Sequence, residues 1–94
     1  MATVRFGDFE WDDEKARANA RKHGITFEEA ATAFADPRGI EAPDVSEPNR
    51  FVLVAISAAS RVLFVVYAER MPRATLRIIS ARKASPTQRK RYEE

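Results

Sequence analysis

Residues 51–83 constrain the fold more than any other stretch. They read FVLVAIS, AAS, RVLFVVYAER, MPRA and TLRIISARK, three β-branched and aromatic runs separated by short polar or proline-bearing breaks. That pattern predicts consecutive antiparallel strands, with the rest of the chain packed on the resulting sheet. Along residues 61–69, alternation sets Val62, Phe64, Val66 and Ala68 on one face and Arg61, Leu63, Val65, Tyr67 and Glu69 on the other. The first set is apolar throughout and is expected to meet the helices. On residues 75–83 the matching apolar positions are Leu76 and Ile78, which leaves Arg77, Ile79, Ala81 and Lys83 opposite. A one-residue slip would bury Arg77, so the expected register pairs Tyr67 with Arg77 and Arg61 with Lys83. Arg61, Tyr67, Glu69, Arg77 and Lys83 then gather on one open, basic sheet face.

The segments before and after this sheet carry helix signals. Residues 3–11 alternate loosely and predict a short edge strand, weakened by Gly7 and Asp8. Asp12 is placed as the N-cap of a helix that runs to His23 and stops at Gly24. Asp13 and Glu14 lie at the positive end of its dipole, and Arg21, Lys22 and His23 at the negative end. Thr26 and Glu29 have the spacing of a capping box, and Phe27, Ala30, Ala31 and Phe34 follow at i, i+3, i+4 and i+7. Asp36-Pro37 ends this second helix, and residues 38–50 read as a loop with a brief strand near Ile40. Ser85, Pro86 and Gln88 open a third, short helix whose one large apolar side chain is Tyr92. The expected class is α+β, an antiparallel sheet with two N-terminal helices on one face and a short C-terminal helix, in a single domain over residues 1–94.

Several kinds of chemistry are poorly supported. The 94 residues include no cysteine, so neither a disulfide framework nor a thiolate is available. The longest apolar run, 51–59, is far short of the roughly 20 residues of a membrane span, and the N-terminus lacks a signal-peptide pattern. A cytoplasmic protein is expected, with no membrane partner. One histidine gives no zinc set, and the acids at 12–14 are explained by the helix start. With no glycine-rich phosphate loop, nucleophile elbow or dinucleotide fingerprint, no metal or other cofactor is expected.

Charge points to a polyanion. Residues 1–60 hold seven Lys or Arg against eleven Asp or Glu, whereas residues 61–94 hold nine against three. The Arg, Lys, His, Tyr and Glu that remain suit a phosphodiester. Cleaving RNA without a metal requires a base for the 2′-hydroxyl proton, cations around the phosphate and an acid for the leaving oxygen. His23 or Glu69 are the candidate bases, Lys83 or Tyr92 the candidate acids, and Arg61, Arg77 and Lys83 of the basic face the phosphate-holding cations. Plainer roles exist for each. His23 complements its helix end, Tyr67 and Tyr92 pack at a rim, Glu69 pairs with Arg70 or Arg77, and Arg89, Lys90 and Arg91 form a solvated helix face.

The stretch FEWDDEKARANARKHGITFEEAATAF, followed by VVYAER, RIISARKA and RKRYEE, resembles the BrnT family of type II toxin–antitoxin toxins, small ribonucleases with a RelE-like fold. The likeness spans nearly the whole chain apart from residues 1–8 and 38–50. It implies metal-independent RNA cleavage that blocks translation. It also implies neutralisation by a cognate BrnA-like, DNA-binding antitoxin, with toxin–antitoxin pairs assembling as a dimer. Carried over by position, the family motifs fall on Trp11, Lys22, His23, Tyr67, Glu69, Arg77, Arg82, Lys83 and Tyr92. Joined with Arg61 of the basic face, they give His23, Glu69, Arg77, Arg82 and Lys83 as the expected catalytic set and Trp11, Lys22, Arg61, Tyr67 and Tyr92 as the expected RNA contacts. Arg82 fits the alternation poorly, since its parity points it towards the helices; either the strand ends before it or it reaches the rim near His23. Two other functional classes use the same features: a non-catalytic nucleic-acid module on the basic face, and an interaction protein docking through a strand edge or the C-terminal helix.

Overall fold

The structure, a computed structural model, describes residues 2–70 and 74–94. Six strands form one sheet in the order β1-β2-β6-β5-β4-β3. β1 (Thr3–Phe6) and β2 (Phe9–Asp12) make a hairpin whose two-residue turn holds Gly7 at φ 61°, a left-handed conformation that glycine adopts without strain. The expected single N-terminal strand is therefore two. β2 also lies parallel to β6 (Thr75–Lys83), so the sheet is mixed and not wholly antiparallel as the sequence suggested. β3 (Ile40–Pro43), β4 (Arg50–Ile56), β5 (Val62–Arg70) and β6 form the antiparallel remainder. The hairpin turn around Pro72 lies outside the described residues.

The helix signals are realised almost residue for residue. α1 (Asp13–His23) is capped by the Asp12 carboxylate, which accepts from the Lys15 N–H at 3.0 Å, and it stops at Gly24 with φ 71°. In α2 (Phe27–Ala33), the Thr26 hydroxyl caps Glu29 N–H at 3.1 Å, but the reciprocal half of the capping box is missing because the Glu29 carboxylate points elsewhere. α3 (Pro86–Glu93) has the full box, with Ser85 and Gln88 each satisfying the other's backbone N–H.

Both N-terminal helices pack on one sheet face, α1 on β2 and β6 and α2 on β5 and β6. The core between them holds Trp11, Ile25, Phe27, Leu63, Val65 and Ile78, with the small Ala30, Ala33, Ala55 and Ala81 allowing close approach. Among the described residues, no helix is long and apolar enough to cross a membrane.

The parity of the central strand is the reverse of the sequence expectation. Leu63, Val65 and Tyr67 are buried under the helices, while Val62, Phe64, Val66 and Ala68 form the other face and are only partly buried. Every residue in 62–68 is apolar or aromatic, so alternation had no polar position with which to select a side. A bulge adds a second shift. Tyr67 pairs with Ile78 and Val66 with Ser80, which leaves Ile79 as the extra residue of β6. Beyond it the strand's sides exchange, so that Ala81 and Lys83 turn to the helix side and Arg82 to the opposite face. The actual register pairs Lys83 with Leu63 and Arg77 with Ala68.

Candidate active site at the basic end

One end of the molecule collects the close of α1, the start of β5, the end of β6 and the first turn of α3. Asn19 fastens the first of these to the third. Its buried side chain donates to the carbonyls of Ile25 (3.0 Å) and Ala81 (2.8 Å) and accepts from Ala81 N–H at 3.1 Å. Both the turn after α1 and the end of β6 are thereby fixed, and the last turn of α1, with Lys22 exposed and His23 partly buried, is carried to the strand end. The Gly24 N–H returns to the Ala20 carbonyl at 2.9 Å and closes the helix.

Arg61 enters from the other side. Its guanidinium grips Glu29 at two points, Nε to Oε2 at 3.0 Å and Nη2 to Oε1, and Nη2 also donates to the Gly24 carbonyl at 3.3 Å. Ser57 Oγ donates to Glu29 Oε2 at 2.7 Å. The Arg61 hydrogen bond holds the Glu29 carboxyl below its usual pKa against the opposing effect of burial, with Ser57 and the charges of Arg61 and Lys83 adding to the lowering. Next to this pair a cavity of about 210 Å³ is lined by Ser60, Arg61, Val62, Lys83, Ala84 and Arg89. Three cations face one small hollow, and Arg61 is the one whose charge Glu29 partly answers.

The remaining expected site residues lie elsewhere. Arg77 is on the opposite face, where its Nη1 donates to Glu10 Oε2 at 2.6 Å. Glu69 pairs with Leu76 at the far end of β5, eight residues from Arg61, a span of about 26 Å for an extended strand. Neither shares a site with Arg61 and Lys83. The single basic cradle expected from alternation is thus two separate places.

Arg82 stacks over the Phe64 ring at 4.4 Å and donates from Nη1 to the Lys83 carbonyl at 3.0 Å and to Gln88 Oε1 at 3.3 Å. The geometry answers the question that its parity left open. Neither alternative holds, because β6 continues to Lys83 and the bulge at Ile79 turns Arg82 away from His23.

Two aromatics are excluded from base stacking by burial. Trp11 is 1% exposed, packed edge-on against Phe27, and Tyr67 is 3% exposed, packed against Phe34 and Phe51 with its hydroxyl donating to Glu41. Burial, then the Glu41 contact, raises the Tyr67 pKa far above its ordinary value. Tyr92 donates to Asp36 Oδ2 and has Arg38 beside its ring at 5.8 Å. That hydrogen bond raises the Tyr92 pKa.

Three members of the site escaped the sequence reading. Arg89 read as part of a solvated, polyanion-steering helix face and not as a catalytic group, Glu29 only as a capping residue, and Asn19 had no signal beyond being a poor helix former inside a helix. Among the described residues, no group of three His, Asp or Glu side chains is placed to hold a metal ion.

Comparison with known proteins bears on the fold and the family. The fold is similar to that in the 1.1 Å crystal structure of the Brucella abortus ribonuclease toxin BrnT, with a TM-score of 0.64 and 22% sequence identity over 80% of this chain and 92% of that one. No curated protein sequence matches the chain. The family model described as the ribonuclease toxin, BrnT, of type II toxin–antitoxin systems matches residues 11–88, which takes in both N-terminal helices, the four strands from β3 to β6 and the start of α3. With the model covering most of its length, the chain belongs to the BrnT family of ribonuclease toxins.

Proposed function

We propose that this ribonuclease toxin cleaves RNA at its basic end without a metal ion, and that the cleavage halts translation in the cytoplasm. The observation that carries the proposal is the convergence of Arg61, Lys83 and Arg89 on one cavity beside the end of α1 that bears His23. In this mechanism Lys83 and Arg89 hold the scissile phosphate, with Lys22 on a neighbouring one. Arg61, immobilised by Glu29, donates to the non-bridging oxygens as charge grows on them. His23 takes the proton of the 2′-hydroxyl, whose oxygen attacks phosphorus, and Lys83 protonates the departing 5′ oxygen. The products are a 2′,3′-cyclic phosphate and a 5′-hydroxyl. Glu69 and Arg77 have no part in it, and Arg82 acts on the other face. Membership of a type II system implies an antitoxin protein as partner. We take it to be a BrnA-like DNA-binding protein that assembles with the toxin as a dimer of pairs.

The test is RNA cleavage by the purified chain in the presence of a chelator, with analysis of the product ends. Cyclic phosphate termini formed at an undiminished rate are expected. A need for a divalent cation, or 3′-hydroxyl and 5′-phosphate ends, would contradict the mechanism.

A further inference from the structure

The face of the sheet away from α1 and α2 carries an incomplete second layer. Ile40 and Ala42 of β3, Val52 and Val54 of β4, and Phe64 of β5 stand side by side across three strands, as their register requires, and line a groove of about 210 Å³. Ile40 is 37% exposed, and Ile56, on the same side of β4, is equally exposed. α3 lies along only one side of this surface. It contributes Gln88 and Arg91 as the groove's polar lining, buries no residue of its own, and makes its element-scale contact with β4.

The charge lining the groove is positive, and the Asp36 carboxylate at its Ile56 end is engaged by the Ile56 N–H and the Tyr92 hydroxyl. Arg91 lines the groove, Arg82 lies over the Phe64 ring, and Arg50 precedes Val52 on the same side of β4. The described lining residues include no carboxylate. A second copy of this chain docked here about a two-fold axis would bring arginine rims together, which disfavours self-association. An occupant with carboxylates beside an apolar stripe satisfies both parts of the surface. With α3 already forming one wall on a sheet face, a helix laid alongside it completes the layer.

We infer that this groove is the docking site for an amphipathic helix of the antitoxin, with aliphatic residues seated on Val52, Val54 and Phe64 and flanking Asp or Glu residues paired with Arg91 and Arg82. The inference rests on the chain's membership of a type II system and not on the ribonuclease mechanism. The groove and the basic cavity both border α3 but have no lining residue in common, so the two stand or fall independently.

The test compares amide hydrogen exchange of the free toxin and of the toxin in complex with its antitoxin. Protection is expected at 40–43, 50–56 and 86–93. V52K and R91E are each expected to weaken the complex by about tenfold or more, since they place a charge on the apolar floor or reverse the rim. Both should fold and cleave RNA at the wild-type rate. A synthetic helical peptide with a leucine stripe flanked by Glu should compete with the antitoxin, and its Lys-flanked counterpart should not. Protection confined to the basic end or to β1, unchanged antitoxin affinity in V52K, or a dimer of the free chain that V52K abolishes while antitoxin affinity persists would overturn the inference. Loss of cleavage in H23A with an intact groove-bound complex supports it, because the docking face then survives without the catalytic group.

Discussion

Arg61 binds the Glu29 carboxylate through Nε and Nη2 while the same Nη2 reaches the Gly24 carbonyl, so one guanidinium ties β5 to α2 and to the end of α1. The pair does more than neutralise charge. It fixes a cation in one orientation at the mouth of the cavity, so that little conformational freedom is lost when a phosphate arrives.

Removing Glu29 should therefore damage orientation before it damages charge. E29Q raises the net positive charge of the site, so an account based on attraction alone expects tighter RNA binding and faster cleavage. The fixed-guanidinium account expects kcat to fall about tenfold with RNA affinity unchanged or improved. Separate measurement of kcat and KM on one oligoribonucleotide distinguishes them.

Asn19 predicts a stability effect coupled to activity. N19A leaves the carbonyls of Ile25 and Ala81 and the N–H of Ala81 without their partner in a buried setting. A cost of about 2–5 kcal/mol is expected on unfolding. In a chain of this size that lowers the melting temperature by roughly 10 °C or more. Thermal unfolding by circular dichroism checks it, and cleavage below the transition should also fall because the end of α1 is no longer pinned to β6.

Acid should weaken the fold through Glu29 and Asp36. Arg61 lowers the pKa of the first, and the Ile56 N–H, followed by Tyr92, lowers that of the second. A carboxyl whose folded-state pKa is depressed stabilises fully above its ordinary value and loses that contribution as pH falls through the folded-state value. Stability should thus be flat above the ordinary values of 4.5 and 3.8 and decline below them. A Glu29→Gln, Asp36→Asn double variant should be less stable at neutral pH and show a shallower acid decline, read from urea midpoints across pH.

Burial makes Trp11 and Tyr67 structural residues. W11A opens the core between β2 and α2 and should cost about 3–5 kcal/mol. Y67F removes the hydroxyl that meets Glu41 and leaves the ring in place; RNA binding by Y67F should equal wild type, as measured by fluorescence anisotropy. Weakened binding with an unchanged melting curve would return Tyr67 to the RNA interface.

The helices were legible in the sequence because their signals are local. Asp12, Gly24, Thr26 and Ser85 each act on backbone groups a few residues away, and each performs its expected role. The sheet's sides were not legible, for two physical reasons. β5 is apolar on both faces, since one meets the α1–α2 layer and the other borders the groove beside α3, and the bulge at Ile79 reverses the sides of β6 without any glycine or proline to announce it. The site suffered accordingly. Arg61 and Lys83 do lie near each other, but on the helix side, and Arg77 belongs to a different surface. Arg89 and Glu29 join them only through tertiary packing, which neither a capping pattern nor a charge run encodes.

The most direct measurement is metal-free cleavage of one RNA by two groups of alanine variants, K83A and R89A from the basic end against E69A and R77A from the distant end of the same strands. The account predicts that each of the first pair loses about 100-fold in kcat/KM while the second pair stays within about twofold of wild type. Equal losses in both groups, or loss in the second alone, would contradict it.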